Sequence, residues 1–164
     1  MNNTIIYLIR HAESKGNLAN IFGGDPDITE KGEQETKRLQ KNLAYVKPNA
    51  VYASNTKRAK QTAKILAKEW SLPVKIHDKL HERNFGSLEG KEILQEHKDF
   101  HNSLIERNIN LMWDSQLSSD DETNRQSLQR LLEGLVDIAK SNIGKATLVV
   151  SHGDVIAKLL VKRG

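Results

Sequence analysis

Arg10 and His11 follow directly on a short apolar run, Thr4–Ile9, and the polarity of the chain flips there within one residue. A guanidinium offers a fixed fork of donors to a phosphate or carboxylate. An imidazole can act as nucleophile or proton carrier near neutral pH. A second histidine, His152, closes another apolar run, Ala146–Val150, within Ser151-His152-Gly153-Asp154. Arg58 falls in the first turn of a helix predicted to start at Lys57, just after the run Ala50–Ala53. That position sets a cation beside free backbone N–H groups at the positive end of a helix dipole, where an anion is held well. Glu82 follows a strand-like run as Arg10 does, and a carboxyl group in such a cleft can serve as general acid or base.

Each of these residues also has an ordinary reading. Arg10-His11 could merely mark a strand end at the surface, and Arg58 could be a surface arginine. Glu82 could pair with Arg83 or a lysine at the surface, and His152 could be structural. What weighs against chance is repetition. Strand, polar end and helix recur at Arg10-His11, before Arg58 and at His152, and open α/β sheets bind ligands beyond the carboxyl ends of their strands.

The elements that must position these groups are legible from periodicity. Thr4–Ile9 reads as a buried strand of a parallel sheet, too short for a helix. Gly16 to Asp27 reads as a loop, dense in turn formers at Gly23-Gly24-Asp25-Pro26-Asp27, and a natural pocket wall. Thr29 is the predicted N-cap of a helix to about Tyr45, with Thr36, Leu39, Leu43 and Val46 as its stripe and Gly32 as a point of close packing. Ala50–Ala53 is a second buried strand, followed by a helix from Lys57 to about Trp70. Leu72–His77 is a third strand with Pro73 at its start, and Leu80–Gly90 is a structured loop. Lys91 to about Asp120 has helical character and forms a cap at the pocket mouth. A long amphipathic helix spans about Thr123 to Ser141, stopped by Asn142 and Gly144. Ala146–Val150 is the fourth strand, and Val155–Leu160 begins a last helix.

A chain of 164 residues is read as one domain, 1–164, with 91–120 as cap or insertion. No stretch is long and apolar enough to span a bilayer, and the N-terminus lacks the pattern of a secretion signal. There is no cysteine, which excludes disulfides, thiolate catalysis and Cys-based metal sites. A reducing cytoplasm is the default compartment. The formal charge of +4 comes with lysines scattered over helix faces. That excess fits an anionic small substrate, and no arginine-rich tract or zinc-finger spacing points to nucleic acid. His97 and His101 stand one helical turn apart, as metal ligands can, but no HExxH pattern is present and the ordinary reading is a solvated helix face.

Together these segments resemble the histidine phosphatase superfamily, also called the phosphoglycerate mutase-like family. Arg10-His11-Ala12-Glu13-Ser14 with Asn17 resembles its R-H-G-E-S-x-x-N signature, and Ser54 to Ala63 resembles S-x-x-x-R-A-x-Q-T-A. Leu80 to Gly90 resembles L-x-E-x-x-F-G-x-W-E-G, Ser151-His152-Gly153 resembles the late S-H-G, and Asp121 to Arg130 resembles the weaker G-E-S-x(6)-R. The resemblance implies an α/β fold, a three-layer α/β/α sandwich around a mostly parallel sheet with a helical cap insertion. It implies two-step phosphoryl transfer without a metal or other cofactor, with His11 as nucleophile. Arg10, Arg58 and His152 would clamp the phosphoryl oxygens, and Asn17, Ser14 and Gly23 would also contact substrate. Glu82 would protonate the leaving alcohol and then deprotonate water. Glu13 would help to orient the loop.

Several positions depart from the family pattern. Ala12 stands for Gly, Leu88 for the common Trp at the pocket rim, and Asp121 for the Gly of G-E-S. The chain stops at Lys162-Arg163-Gly164, where family members usually continue through a further strand, so an edge strand is missing or the form is truncated. The leading expectation is a phosphatase of small phosphate monoesters, as monomer or homodimer, without nucleic-acid or membrane partners. The alternative is a phosphoglycerate mutase, disfavoured by the short segment of about 70 residues between Glu82 and His152. A third reading is a phosphate-ligand binder on a decayed enzyme scaffold, against which the complete set Arg10, His11, Arg58, Glu82 and His152 argues. Sugar phosphates, phosphoglycerates, a ribazole phosphate and phosphoprotein all stay open as substrates.

Overall fold

The computed structural model describes residues 3–161. In order these form β1 (Ile5–Arg10), α1 (Lys15–Leu18), α2 (Glu30–Asn42), β2 (Ala50–Ala53), α3 (Lys57–Ala67), β3 (Val74–Ile76), α4 (Gln95–Arg107), α5 (Ile109–Asp114), α6 (Asn124–Ser141), β4 (Ala146–Ser151) and α7 (Gly153–Val161). The four strands make one parallel sheet in the order β1-β4-β2-β3. Every crossover therefore carries helical chain, and both faces of the sheet are covered.

Alternation along β2 shows how. Val51 and Ala53 pack with Ala59, Ala63 and Leu66 of α3 on one face, and Ala50 and Tyr52 pack with Leu131 and Ile138 of α6 on the other. A strand buried on both faces must be apolar throughout, which is why β2 and β4 read as continuous runs. Leu148, Val149 and Val150 at the centre are fully buried. The result is the α/β/α layering that the resemblance implies.

The structure corrects the reading at several ends. β1 is half-buried rather than buried, with Ile5 55% exposed, because among the described residues it pairs only with β4 and forms a sheet edge. The segment after Ser14 is not loop from its start. Ser14 and Asn17 form a reciprocal capping box that nucleates α1, the pairing of an N-cap hydroxyl with a side chain three residues on. Helix α2 begins as expected, with Thr29 Oγ1 accepting from Gly32 N at 3.0 Å, but it ends at Asn42 rather than near Tyr45. Helix α3 ends at Ala67 and continues only as a 3-10 turn, Lys68–Trp70. Gly32 is indeed a point of close approach: a Cβ there would lie 2.3 Å from the carbonyl oxygen of Glu13. The Lys162-Arg163-Gly164 end, on which the question of a missing strand turned, lies outside the described residues. Among the described residues no helix is long and apolar enough to cross a membrane.

Candidate active site

Parallel pairing puts the carboxyl ends of β1, β4 and β2 side by side. Arg10 is in register with Ser151, and Ala53 with Val150. The backbone ladder runs on past the strands, with His11 N donating to Ser151 O at 2.9 Å and Ser54 N to Val150 O at 3.0 Å. Two histidines distant in sequence are thereby fixed edge to face, their ring centroids 5.1 Å apart.

The hydrogen bonds settle both tautomers. His11 Nδ1 lies 2.7 Å from the carbonyl oxygen of Ala12, which can only accept, so Nδ1 carries the proton. Nε2 is left with its lone pair, which accepts from Arg58 Nε at 3.2 Å. Burial, together with the positive charges of Arg58 and Arg10, pushes the His11 pKa down to about 4, against the raising effect of the Ala12 carbonyl. His152 is fully buried. Its Nδ1 is 3.3 Å from Arg58 Nη2 and its Nε2 is 2.9 Å from Ser54 Oγ. Arginine has no lone pair to offer, so Nδ1 accepts and Nε2 donates to Ser54. Burial and then Arg58 hold this imidazole well below its ordinary pKa.

Arg58 is 4% exposed, so its reading as an ordinary surface residue fails. Its Nη1 donates to Gly24 O at 2.7 Å, and the start of its helix is capped by Asp25, which accepts from Lys57 N. Thr62 accepts from Ala12 N at 3.0 Å and donates to Arg58 O at 2.8 Å, tying the turn after His11 to α3. Gly153 has a steric reason: a Cβ would lie 2.8 Å from Arg10 Nε. Ala12 stands where the family signature has Gly.

Glu82 is not a surface glutamate paired with Arg83. Its Oε1 accepts from the backbone N–H of Arg83 at 3.0 Å, and its Oε2 lies 3.7 Å from His152 Nδ1, beyond a hydrogen bond. Burial and then the charge of Asp154 push its pKa up to about 7, while the Arg83 N–H, Lys158 and Arg58 pull the other way. The Arg83 side chain turns inward instead, to Asp121 at 2.6 Å and to Asn124 Oδ1 at 2.9 Å. The departure at Asp121 thus has a structural use. Arg130 holds the loop from behind, donating to the carbonyls of Lys79, His81 and Glu82 and to the Glu122 carboxylate.

A cavity of about 540 Å³ opens over these groups, with Arg10, His11, Arg58 and Glu82 all on its wall. Ser14, Asn17 and Gly23 line it too. The Ser14 hydroxyl is engaged by Asn17 Oδ1 at 3.0 Å, so of that pair it is the Asn17 amide N–H groups that are left to meet a ligand. Gly23 has φ +49°, and a Cβ there would lie 1.9 Å from a Glu89 carboxylate oxygen. Glu13 faces elsewhere, accepting from Thr29 Oγ1 and Lys31 Nζ, and so braces the turn. His152 closes the back through Arg58. Leu88, where the family has Trp, is not among the residues that line the cavity. His97 and His101, read as a solvated face, line the cavity mouth. Among the described residues no group of three or more His, Asp or Glu gathers to hold a metal ion.

Sequence reasoning did not single out Ser54, Asp25, Thr62 and Glu89. Ser54, Thr62 and Glu89 lay inside quoted motifs, and Asp25 among the turn formers. All four act through backbone groups or neighbouring side chains, a role that residue type alone does not announce.

A family model for the histidine phosphatase superfamily, branch 1, matches residues 6–162, and the chain belongs to that superfamily. It is 30% identical over 167 residues to a metal-independent phosphoserine phosphatase of Arabidopsis thaliana, covering 97% of this chain and 68% of that protein. It is 39% identical over 102 residues to a 2,3-bisphosphoglycerate-dependent phosphoglycerate mutase of Thermobifida fusca, covering 58% of this chain and 41% of the mutase. The chain thus spans less than half the length of that mutase. Among solved structures, Bacillus stearothermophilus YhfR superimposes with a TM-score of 0.84 at 30% identity, covering 97% of this chain and 79% of that one. Relatives of both kinds, phosphatases and mutases, share this scaffold.

Proposed function

We propose that the protein is a metal-independent phosphatase that hydrolyses a small phosphate monoester through a phosphohistidine on His11. Nε2 of His11 attacks phosphorus in line as the bond to the leaving oxygen breaks. The Arg58 Nε–H that rests on Nε2 moves to a phosphoryl oxygen, so the donor that holds the nucleophile becomes part of the anion clamp. Arg10 and Arg58 neutralise charge on the transferring group, which is mainly a matter of positioning and electrostatics. His152 backs Arg58, its Nδ1 accepting from Arg58 Nη2 at 3.3 Å.

Glu82, whose proton is held below about pH 7, gives that proton to the departing alcohol. As carboxylate it then takes a proton from the water that attacks phosphorus, which breaks the P–Nε2 bond and releases inorganic phosphate. Two groups with pKa values pushed apart, to about 4 for His11 and about 7 for Glu82, are the pattern expected of an assigned nucleophile and acid. The single observation that carries the reading is the unprotonated Nε2 of His11, aimed by Arg58 Nε in the cavity that also holds Glu82.

The test is acid-labile labelling with a ³²P-monoester in EDTA-treated buffer. Label that appears on wild type, is absent from His11→Ala and turns over to free phosphate supports the reading. Turnover that vanishes on chelation, or that survives His11→Ala, overturns it. Similarity to the Thermobifida fusca mutase favours a second reading, transfer to another hydroxyl group. Incubation with 3-phosphoglycerate separates the two by the yield of 2-phosphoglycerate against phosphate.

A further inference from the structure

The cavity is larger than a phosphoryl group needs. Away from the Arg10–His11–Arg58 floor one wall is Ile21, Phe22, Phe85, Ile93 and Leu117, with His97, Lys98, His101 and Asn102 beside it. The rings form one cluster: Phe22 and Phe85 have centroids 4.9 Å apart, and His97 meets Phe22 edge to face at 5.1 Å. This wall is built rather than incidental. Phe22 is fixed through both backbone groups, N to Lys91 O at 2.9 Å and O from Gly90 N at 2.8 Å. The His97 ring is fixed because its Nδ1 accepts from Leu94 N at 3.0 Å, at the start of α4.

The charges around this wall argue against a small acidic alcohol. A serine or glycerate portion brings a carboxylate that needs its own cation. Arg83 lines the cavity, but its guanidinium is taken by Asp121, Asn124 and the Glu122 carbonyl. Lys98 sits exposed at the mouth, while Glu82 and Asp154 present carboxyl groups. A cavity of about 540 Å³ that sets an aromatic and aliphatic wall beside a cationic floor suits a ring attached to a phosphate. Offset and edge-to-face contacts with Phe22, Phe85 and His97 would orient that ring.

Resting on the phosphatase reading, we propose that the alcohol half of the substrate is an aromatic or heteroaromatic ring compound seated on the Phe22–Phe85–His97 cluster. Phosphate esters of small hydroxy acids are then poor substrates.

The test compares kcat/KM for benzyl phosphate and 2-naphthylmethyl phosphate with that for O-phosphoserine and methyl phosphate. All four are alkyl esters whose leaving alcohols need the Glu82 proton alike, so differences report binding more than the ease of departure. The ring esters are expected to exceed phosphoserine at least tenfold. The ratio of naphthylmethyl to methyl phosphate is expected to fall at least threefold in both Phe22→Leu and His97→Ala, with folding checked by Tm. Phosphoserine equal to or better than the ring esters overturns the proposal, as does a ratio unmoved in both variants. If phosphohistidine forms and phosphoserine is preferred, only this proposal fails. If no ester is turned over and no label reaches His11, the phosphatase reading fails with it.

Discussion

Arg58 donates its Nε–H to Nε2 of His11 across 3.2 Å, so in the proposed mechanism the group that neutralises the phosphoryl oxygens also keeps the nucleophile aimed and unprotonated. Charge alone does not do this, since the planar fork also reaches His152 and Gly24 O. Arg58→Lys is expected to lower kcat/KM by 10²–10³, about 3–4 kcal/mol in the barrier, as removal of one preorganised donor does elsewhere. Steady-state kinetics on any accepted monoester checks this, and a loss below tenfold would mean that the fork geometry is unimportant.

The pH dependence follows from the same pair of environments. His11 must be the free base, so kcat/KM rises with pH through about 4. Glu82 must carry its proton, so kcat/KM falls through about 7. Glu82→Gln should lower activity and abolish the alkaline limb. Lys158 is buried, bonded to Asp154 and Ser127, and its charge pulls the Glu82 pKa down while Asp154 pushes it up. Lys158→Met should therefore shift the alkaline limb upward and Asp154→Asn should shift it downward. A pH–rate profile for each variant decides.

Stability carries a matching signature. The native His11 pKa of about 4 lies below its ordinary 6.5, so between those values the unfolded chain binds more protons than the native one. The contribution is present above about pH 6.5 and is lost as pH falls through about 4. His11→Gln should lose less stability than wild type between pH 7 and 4.5, read as the change in urea midpoint.

The Arg83–Asp121 pair is buried on both sides. Asp121→Ala strands a guanidinium in a dry setting and is expected to cost about 3–5 kcal/mol, read as a fall in Tm. Replacing both residues by apolar ones of similar size should restore most of that loss. A small effect of the single change would show that water reaches Arg83.

Glu89 is expected to matter more than its exposure suggests. Its carboxylate accepts from Gly24 N at 2.6 Å and Phe85 N at 3.0 Å, and Gly24 O in turn holds Arg58. Glu89→Ala should raise KM by releasing the 22–24 turn, with Glu89→Gln recovering part of the effect by accepting one of the two bonds. Kinetics of both variants against a single ester measures it.

The strands and the polar groups at their ends were legible because sheet burial on two faces forces apolar runs and because polarity then changes abruptly at Arg10 and at Ser151-His152. The apolar run of β1 overstates its burial, since such a run does not say whether a neighbour lies on both sides. The supporting residues were not legible for a different reason. Asp25 caps a helix that starts at Lys57, and Glu89 serves a turn at Gly24, so each acts across a distance in sequence that only the folded chain closes. His97 on its helix gives the same periodic signal whether it faces water or a cavity.

The register that aligns Ile5 with Ala146 and Arg10 with Ser151 also sets an order of events in synthesis. β1 is made before the strand it pairs with, which follows more than a hundred residues later, and β2 likewise waits for β4 between them. Such non-local parallel pairing is intrinsically slow and leaves strand edges open meanwhile. His11 and His152 therefore reach their 5.1 Å separation only once β4 has slotted between β1 and β2.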